Sequence, residues 1–378
     1  MYDLSRHPYF EEYTDPVSGV RSYILKKIAA PIQQNLYFTH LGGITTDGKY
    51  MWIRCAEWPS RTIRYGVVSL DPDAPYLRVF NNATFDTTLL SPVPGTHKAL
   101  FGVRNKVYEI DVEGNTREIL TIDEELIHGR WIEWISTHLS VNSTGELITL
   151  DMYIGGKSYM AIGNYRTGEV THIMKSERHY NHAQFSPTDP RLFIVDQDWV
   201  KDPVSGERFD VDQRIWLMDI DKTIFEPIDP GNWFRHNNSI YCHDFWSADG
   251  YICWPDLLEY VYEYNVYTKE KNVVWKRSVC HAHTLDRRLW VADATPYGWS
   301  PCDVVFFDRD SGKEINIFTA LPKPKYDKSV YHLDPHPAFS PDGSLVVSMT
   351  TVKDGEIDIA LTPVKELLDK CRTGGTSV

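Results

Sequence analysis

The chain has 378 residues, 42% of them hydrophobic and 13% aromatic, with 23 glycines and 22 prolines spread along it, which excludes a disordered chain and points to a large core with many turns. A formal net charge of -13 excludes a nucleic-acid backbone or an anionic membrane as the main partner, because either would repel such a surface. No apolar run approaches the length that spans a bilayer, and "MYDLSRHPYF" lacks the basic and apolar regions of a secretory signal, so a cytoplasmic protein is expected.

From the amino terminus, "RSYILKKIAAP" and "NLYFTHL" are expected to form a covering segment over about residues 1–35 and to supply a strand that closes the fold and removes sheet edges. Beyond it, polar turns alternate with β-forming runs: "TTDGKYMWIRC", "NSTGELITLDMYI", "SPTDPRLFIVDQD", "SADGYICW" and "SPDGSLVVSMTT". Second turns follow in "NYRTGEVTHIM", "YNVYTKEKNVVWK" and "DRDSGKEINIF". Each unit therefore holds about four strands, and units start roughly 40 to 60 residues apart, the spacing of propeller blades. The end of the chain, about 363–378, reads as a short helix and a loose tail. The six cysteines form no CxxC pair and read as buried thiols. "GGKS" at 155–158 lacks the first glycine of a phosphate-binding loop and reads as a tight turn.

Aligning the turns places a histidine near the start of the first strand of every unit: His40, His97, His138, His182, His243, His281 and His336. The count of seven predicts a single all-β domain over 1–378, a seven-bladed β-propeller. The first, second and sixth units fit only with a slip of one residue, and in the sixth His283 competes with His281. First strands of propeller blades line the central channel, so histidines at this register would converge at one mouth; the bland alternative is a ring that hydrogen-bonds neighbouring blades.

Two groups carry chemistry. "YHLDPHP" gathers Tyr331, His332, Asp334 and His336, and "CHAH" adds His281 and His283. In an extended segment Asp334 and His336, two apart, face one side and can reach one ion; imidazoles plus a carboxylate suit a divalent metal such as manganese or zinc. The other group is His243 with Arg214 of "DVDQRIWLMD". An arginine beside a histidine disfavours the imidazolium, keeping the ring available as a base, and can hold an anionic substrate; the alternative is an ion pair with a nearby aspartate.

The segments "NHAQFSPTDPRLFIVDQD", "RIWLMD", "HDFW", "CHAH" and "DPHPAFSPDG", in that order over about residues 178–350, resemble the oligogalacturonate lyases, a family of seven-bladed propellers. The resemblance implies that His243 abstracts the proton, that Arg214 takes the place of the family's arginine, and that manganese is bound by a histidine matching His281 and by a Gln-x-x-His-x-His segment matching Tyr331 to His336. This chain departs there: Tyr331 replaces the glutamine and Asp334 the first histidine, with His332 as a substitute, while His336 matches. Manganese is the expected cofactor, with zinc or calcium as alternatives.

The implied reaction is β-elimination from an acidic oligosaccharide. Its first step removes the C5 proton, α to a carboxylate, and builds negative charge that a divalent metal offsets as a Lewis acid. The product is a 4,5-unsaturated uronate. His182, Tyr180 and Trp246 are candidates for binding the sugar, and Tyr297 and Trp299 for stacking on it. Metal and arginine in the funnel would override the acidic net charge for a short oligomer. The rival readings are a lyase for glucuronate or iduronate, as in ulvan or rhamnose-glucuronate glycans, and a non-catalytic binding propeller.

Overall fold

The computed structural model describes residues 2–37, 42–80, 89–202, 204–209, 211, 213–229, 241–294, 301–326, 331–374 and 376–377. Its strands form seven antiparallel sheets, the expected seven-bladed β-propeller. In chain order, the first blade is built from Ile32–Asn35, Tyr50–Ala56, Ile63–Ser69 and Leu77–Val79, and the second from Ser91–Pro92, Lys98–Val103, Lys106–Asp111 and Thr116–Thr121. The third takes Ile132–Trp134, Leu147–Ile154, Lys157–Asn164 and Val170–Ser176, and the fourth Arg178–Phe185, Leu192–Lys201, Ile215–Asp219 and Phe225–Pro227. The fifth begins at Phe245–Trp246 and ends at Lys271–Trp275; the sixth runs from His281–His283 to Lys313–Leu321; the seventh starts with Ala338–Phe339.

The chain divides into two compact units, Met1–Ala83 with Tyr251–Val378, and Thr84–Gly250. In the first unit the amino-terminal hairpin completes the seventh blade. Arg21–Leu25 pairs with Asp358–Pro363 (Tyr23 opposite Leu361, Ile24 opposite Ala360), and Phe10–Thr14 forms the outer edge. Asp15 sets the hairpin turn, its carboxylate accepting the backbone N–H groups of Val17 and Ser18 at 3.1 and 2.8 Å. The expected closure is thus a two-stranded addition from the amino terminus. Ile24 is fully buried among Phe306, Phe318, Val346 and Ala360. Ile24→Ala is therefore expected to lower the unfolding free energy by about 2–5 kcal/mol, read from urea denaturation midpoints.

The carboxyl-terminal helix Val364–Gly374 buries Val364, Leu367 and Cys371 in the same core. The tail beyond it is not loose: Thr376 and Ser377 pair with Glu314 and Lys313 at the edge of the sixth blade, where free ladder groups are available.

In the second unit, Leu147–Ile154 and Lys157–Asn164 are buried at almost every position, and β-branched and aliphatic side chains fill both faces of the hairpin. The repeated polar turns have one construction. Asn142 Oδ1 accepts the Leu147 N–H at 3.1 Å before Gly145 at φ 74°, just as, in the first unit, Ser340 Oγ accepts the Leu345 N–H at 3.0 Å before Gly343 at φ 68°. A side chain at either glycine would sit in the left-handed region, so the turn selects glycine.

These turns fix the histidine register. His138, His182, His243 and His336 each stand four residues before the turn residue, at Asn142, Ser186, Ser247 and Ser340. His281 lies one place later, and Cys280 occupies the register position. His97 corrects the expectation for the second blade: it lies in the turn between Ser91–Pro92 and Lys98–Val103, after the first strand rather than on it. That blade's first strand is only two residues long and the turn follows at once. His40 lies outside the described residues. All six cysteines are free thiols. Among the described residues no helix is long and apolar enough to cross a membrane.

Candidate functional site

In the first unit, four of the sequence-predicted residues converge. His281, His332, Asp334 and His336 each offer one ligand atom, all within 4.8 Å of one another. The rings of His281 and His336 are 3.6 Å apart between centroids, those of His332 and His336 4.6 Å, and His332 Nε2 lies 3.6 Å from Asp334 Oδ2. Two ligands trans across an ion at about 2.2 Å stand about 4.4 Å apart, so the cluster has the size of a coordination shell. Three imidazoles and a carboxylate are a donor set for a divalent first-row metal, and the group can hold one.

What holds the cluster is Asp293, the last residue of the strand Leu289–Asp293. Its carboxylate, 1% exposed, accepts the backbone N–H of His281 at 2.8 Å, the ring Nδ1–H of His281 at 2.8 Å and the backbone N–H of His336 at 3.2 Å. With Nδ1 donating to Asp293, His281 presents Nε2 to an ion, the arrangement in which a carboxylate fixes the ring's tautomer and orientation. His336 adopts φ 43°, so 334–336 is not extended as expected; Asp334 and His336 meet through a turn that Asp293 pins at the His336 amide. Asn35 donates from Nδ2 to the His336 carbonyl at 2.9 Å, and Tyr37 stacks on His332 and His336 at 4.5 and 4.9 Å. The Tyr37 hydroxyl accepts from Arg54 Nη1 at 3.2 Å; burial raises this phenol above its ordinary range despite the guanidinium. Asp293, Asn35 and Tyr37 were not found from sequence. Only Asp293 leaves a visible sign, a polar residue ending the apolar strand "LWVAD".

His283 and Tyr331 sit elsewhere. His283 Nδ1 accepts the backbone N–H of Phe339 at 3.2 Å, which ties the sixth blade to the seventh. Tyr331 is fully buried, and its hydroxyl donates to the carbonyl of Ser60 at 2.6 Å.

In the second unit, Arg214 precedes the strand Ile215–Asp219 and points at the carboxylates of Asp196 and Asp198 on the adjacent strand Leu192–Lys201. Asp196 Oδ2 is 2.5 Å from Nη2, Asp198 binds Nη1, and Asp244 Oδ1 lies 4.0 Å from Nε. Of the two alternatives open in the sequence, the guanidinium takes the ion pair, within its own blade. The alternation in "VDQD" is the sign that both aspartates share a face. His243 is half-buried, with φ 53°, directly before Asp244. His182, also half-buried and at φ 54°, has its Nδ1 2.8 Å from His138 Nε2. Tyr180, 4% exposed, packs on Trp216 and Phe225. Trp246, 1% exposed, donates its indole N–H to the carbonyl of Gln184 at 2.9 Å. Both rings are core residues with no face open to a sugar. Tyr297 and Trp299 lie outside the described residues.

No protein-family model and no curated protein matches the chain. Solved structures do. An oligogalacturonate lyase in complex with manganese aligns with a TM-score of 0.73 at 16% identity, over 94% of this chain and 96% of its own. An oligogalacturonate lyase from Vibrio parahaemolyticus aligns with a TM-score of 0.75 at 17% identity, over 94% of this chain and 96% of its own. The chain is a seven-bladed β-propeller with the fold of the solved oligogalacturonate lyases.

Proposed function

We propose that the protein is a carbon–oxygen lyase that cleaves uronic-acid-containing oligosaccharides by metal-assisted β-elimination, with oligogalacturonate as the first substrate. The observation that carries the reading is the convergence of His281, His332, Asp334 and His336, backed by Asp293, on a fold shared with lyases, one of them solved with manganese. A divalent ion at these residues, manganese first, would supply Lewis-acid stabilisation of the substrate carboxylate.

The roles of the chain's own residues follow from proton bookkeeping. His243 accepts the C5 proton through an unprotonated imidazole nitrogen. The electron pair of that C–H bond forms the C4–C5 double bond, the C4–O bond breaks with its electron pair leaving on the oxygen, and that oxygen takes a proton from solvent water, while the proton on His243 is later returned to solvent. Asp293 keeps His281 in the tautomer that presents Nε2. His332 and His336, stacked against Tyr37, are held as a pair.

A second uronate remains in play for a specific reason. Tyr331, in the place where the family has a glutamine, is turned into the core, and Asp334, in the place of the family's first histidine, stands in the cluster with His332. The set of donors facing the substrate therefore differs from the family's, which is the reason to test glucuronate and iduronate oligosaccharides beside galacturonate. The experiment follows ultraviolet absorbance of the conjugated uronate on that panel, with added manganese, zinc or calcium and after chelation. Absorbance that rises with one sugar and disappears in chelator supports the reading. Silence across the panel with no metal bound by elemental analysis points to the non-catalytic binding propeller.

A further inference from the structure

The Arg214 cluster holds more acid than base. One guanidinium, with 9% of its side chain exposed, faces the carboxylates of Asp196, Asp198 and Asp244. Asp196 and Asp244 are 2% and 0% exposed, so bulk water does not solvate the surplus charge. Among the described residues neither carboxylate oxygen of Asp244, nor Asp196 Oδ1, receives a hydrogen bond, while both side chains meet the one Arg214 guanidinium. Two ionised carboxylates in contact repel and offer only acceptors; one proton between them gives one a donor and the other an acceptor.

The geometry points to a proton kept on Asp196 at neutral pH and shared with Asp244 as a hydrogen bond, with Arg214 completing the clamp as a positioning residue for His243 rather than as a ligand for the substrate. Burial pushes the Asp196 carboxyl well above the usual range; Arg214 opposes the shift, and the charges of Asp244 and Asp198 add to it. Burial also acts to raise Asp198, but Arg214, then His182, then the Asn181 amide at 2.5 Å hold that carboxylate below the usual range; His179 acts in the same direction. Cys242 also acts on Arg214, in the same direction as the three aspartates. The surplus proton is therefore placed on Asp196, which meets the guanidinium beside Asp244, and Asp198 stays ionised against Arg214.

The link to His243 is its backbone. A histidine at φ 53° occupies the left-handed region and keeps that conformation only when its surroundings over-determine it. The next residue, Asp244, is held at both ends: its side chain by the clamp, its carbonyl by Gln184 Nε2 at 3.0 Å. Trp246, from the same segment, donates to the Gln184 carbonyl at 2.9 Å. The clamp itself stands without the lyase reading; only the role of His243 as base rests on that reading.

Infrared difference spectra of the full chain at pH 7, with and without deuterium exchange, test the shared proton. The carbonyl stretch of a neutral buried carboxyl is expected in the wild type, lost in Asp196→Asn and in Asp244→Asn, and kept in Asp198→Asn. Thermal midpoints give a second readout. A native carboxyl raised above its unfolded value contributes stability that is lost as pH rises toward the native value, and asparagine has no such loss. The midpoint of Asp196→Asn relative to wild type is therefore expected to climb from pH 5 to pH 8. A signal that survives in both pair variants, or a relative midpoint flat with pH, overturns the shared proton. If the wild type cleaves uronides, Arg214→Lys is expected to lower kcat at least tenfold with KM within threefold; a raised KM with kcat kept overturns the positioning role. If the wild type cleaves none, the lyase reading fails while the infrared and thermal results still decide the clamp.

Discussion

His243→Ala is expected to lower the rate of unsaturated-uronate formation by about 100- to 10,000-fold, the range lost when a positioned general base is removed. The imidazole of His243 is half-buried, so truncating it removes less packing than truncating a fully buried side chain. Its backbone is the complication, because φ 53° is a conformation that histidine and asparagine tolerate better than alanine. His243→Asn separates the two effects. It keeps a side chain suited to the left-handed region and removes the basic nitrogen, so it is expected to unfold at the wild-type temperature and to be as inactive as the alanine variant. A rate within threefold of wild type in His243→Asn would remove His243 from the chemistry and leave elimination without its proposed base. A wild-type rate restored by added imidazole would support the assignment directly, since a small base can enter the space the side chain leaves.

The architecture was legible because it repeats. A polar turn closed by glycine, followed by β-forming residues, occurs in "NSTGELITL" and again in "SPDGSLVVS", and the structure shows the same capping hydrogen bond in both. One side chain accepting one amide is a local device, and local devices survive in sequence. Where a blade departs from the device, the alignment slipped: His97 sits after a first strand of two residues, and in the sixth blade the register position is held by Cys280.

The site was legible by residue type and not by partner. Histidines and an aspartate within "YHLDPHP" and "CHAH" announce metal chemistry, and four of them come together. Sequence could not show that His283, two residues from His281, turns to accept a backbone amide, because alternation along a strand sends both residues to one face and only the neighbouring blade decides what meets them. Nor could it show Asp293, from the neighbouring strand, or Tyr37, from the segment that follows Ile32–Asn35. Arg214 illustrates the same limit. Its neighbours in sequence include aspartates at several spacings, and only the pairing of Leu192–Lys201 with Ile215–Asp219 selects Asp196 and Asp198.

The second large effect concerns the metal. His336→Ala is expected to weaken binding of a divalent ion by more than about 100-fold, because it removes a ligand itself, whereas Asp293→Asn, which removes only the support behind His281, is expected to cost about 10- to 100-fold. The ordering follows from what each group touches. His336 stands 3.6 Å from the His281 ring within the cluster, while Asp293 meets His281 through Nδ1, on the side away from Nε2. His283→Ala, whose ring contact lies with the Phe339 amide, is expected to bind metal as the wild type does. Metal content by elemental analysis after dialysis and titration calorimetry with manganese and zinc read all three. Equal affinity for His336→Ala and wild type would move the ion away from this cluster. Acid sharpens the comparison: an imidazole must be unprotonated to bind an ion, so protons compete with the metal and affinity is expected to fall on acidification. The fall should be steeper in the wild type than in His336→Ala, because three imidazoles rather than two compete with protons for the ion.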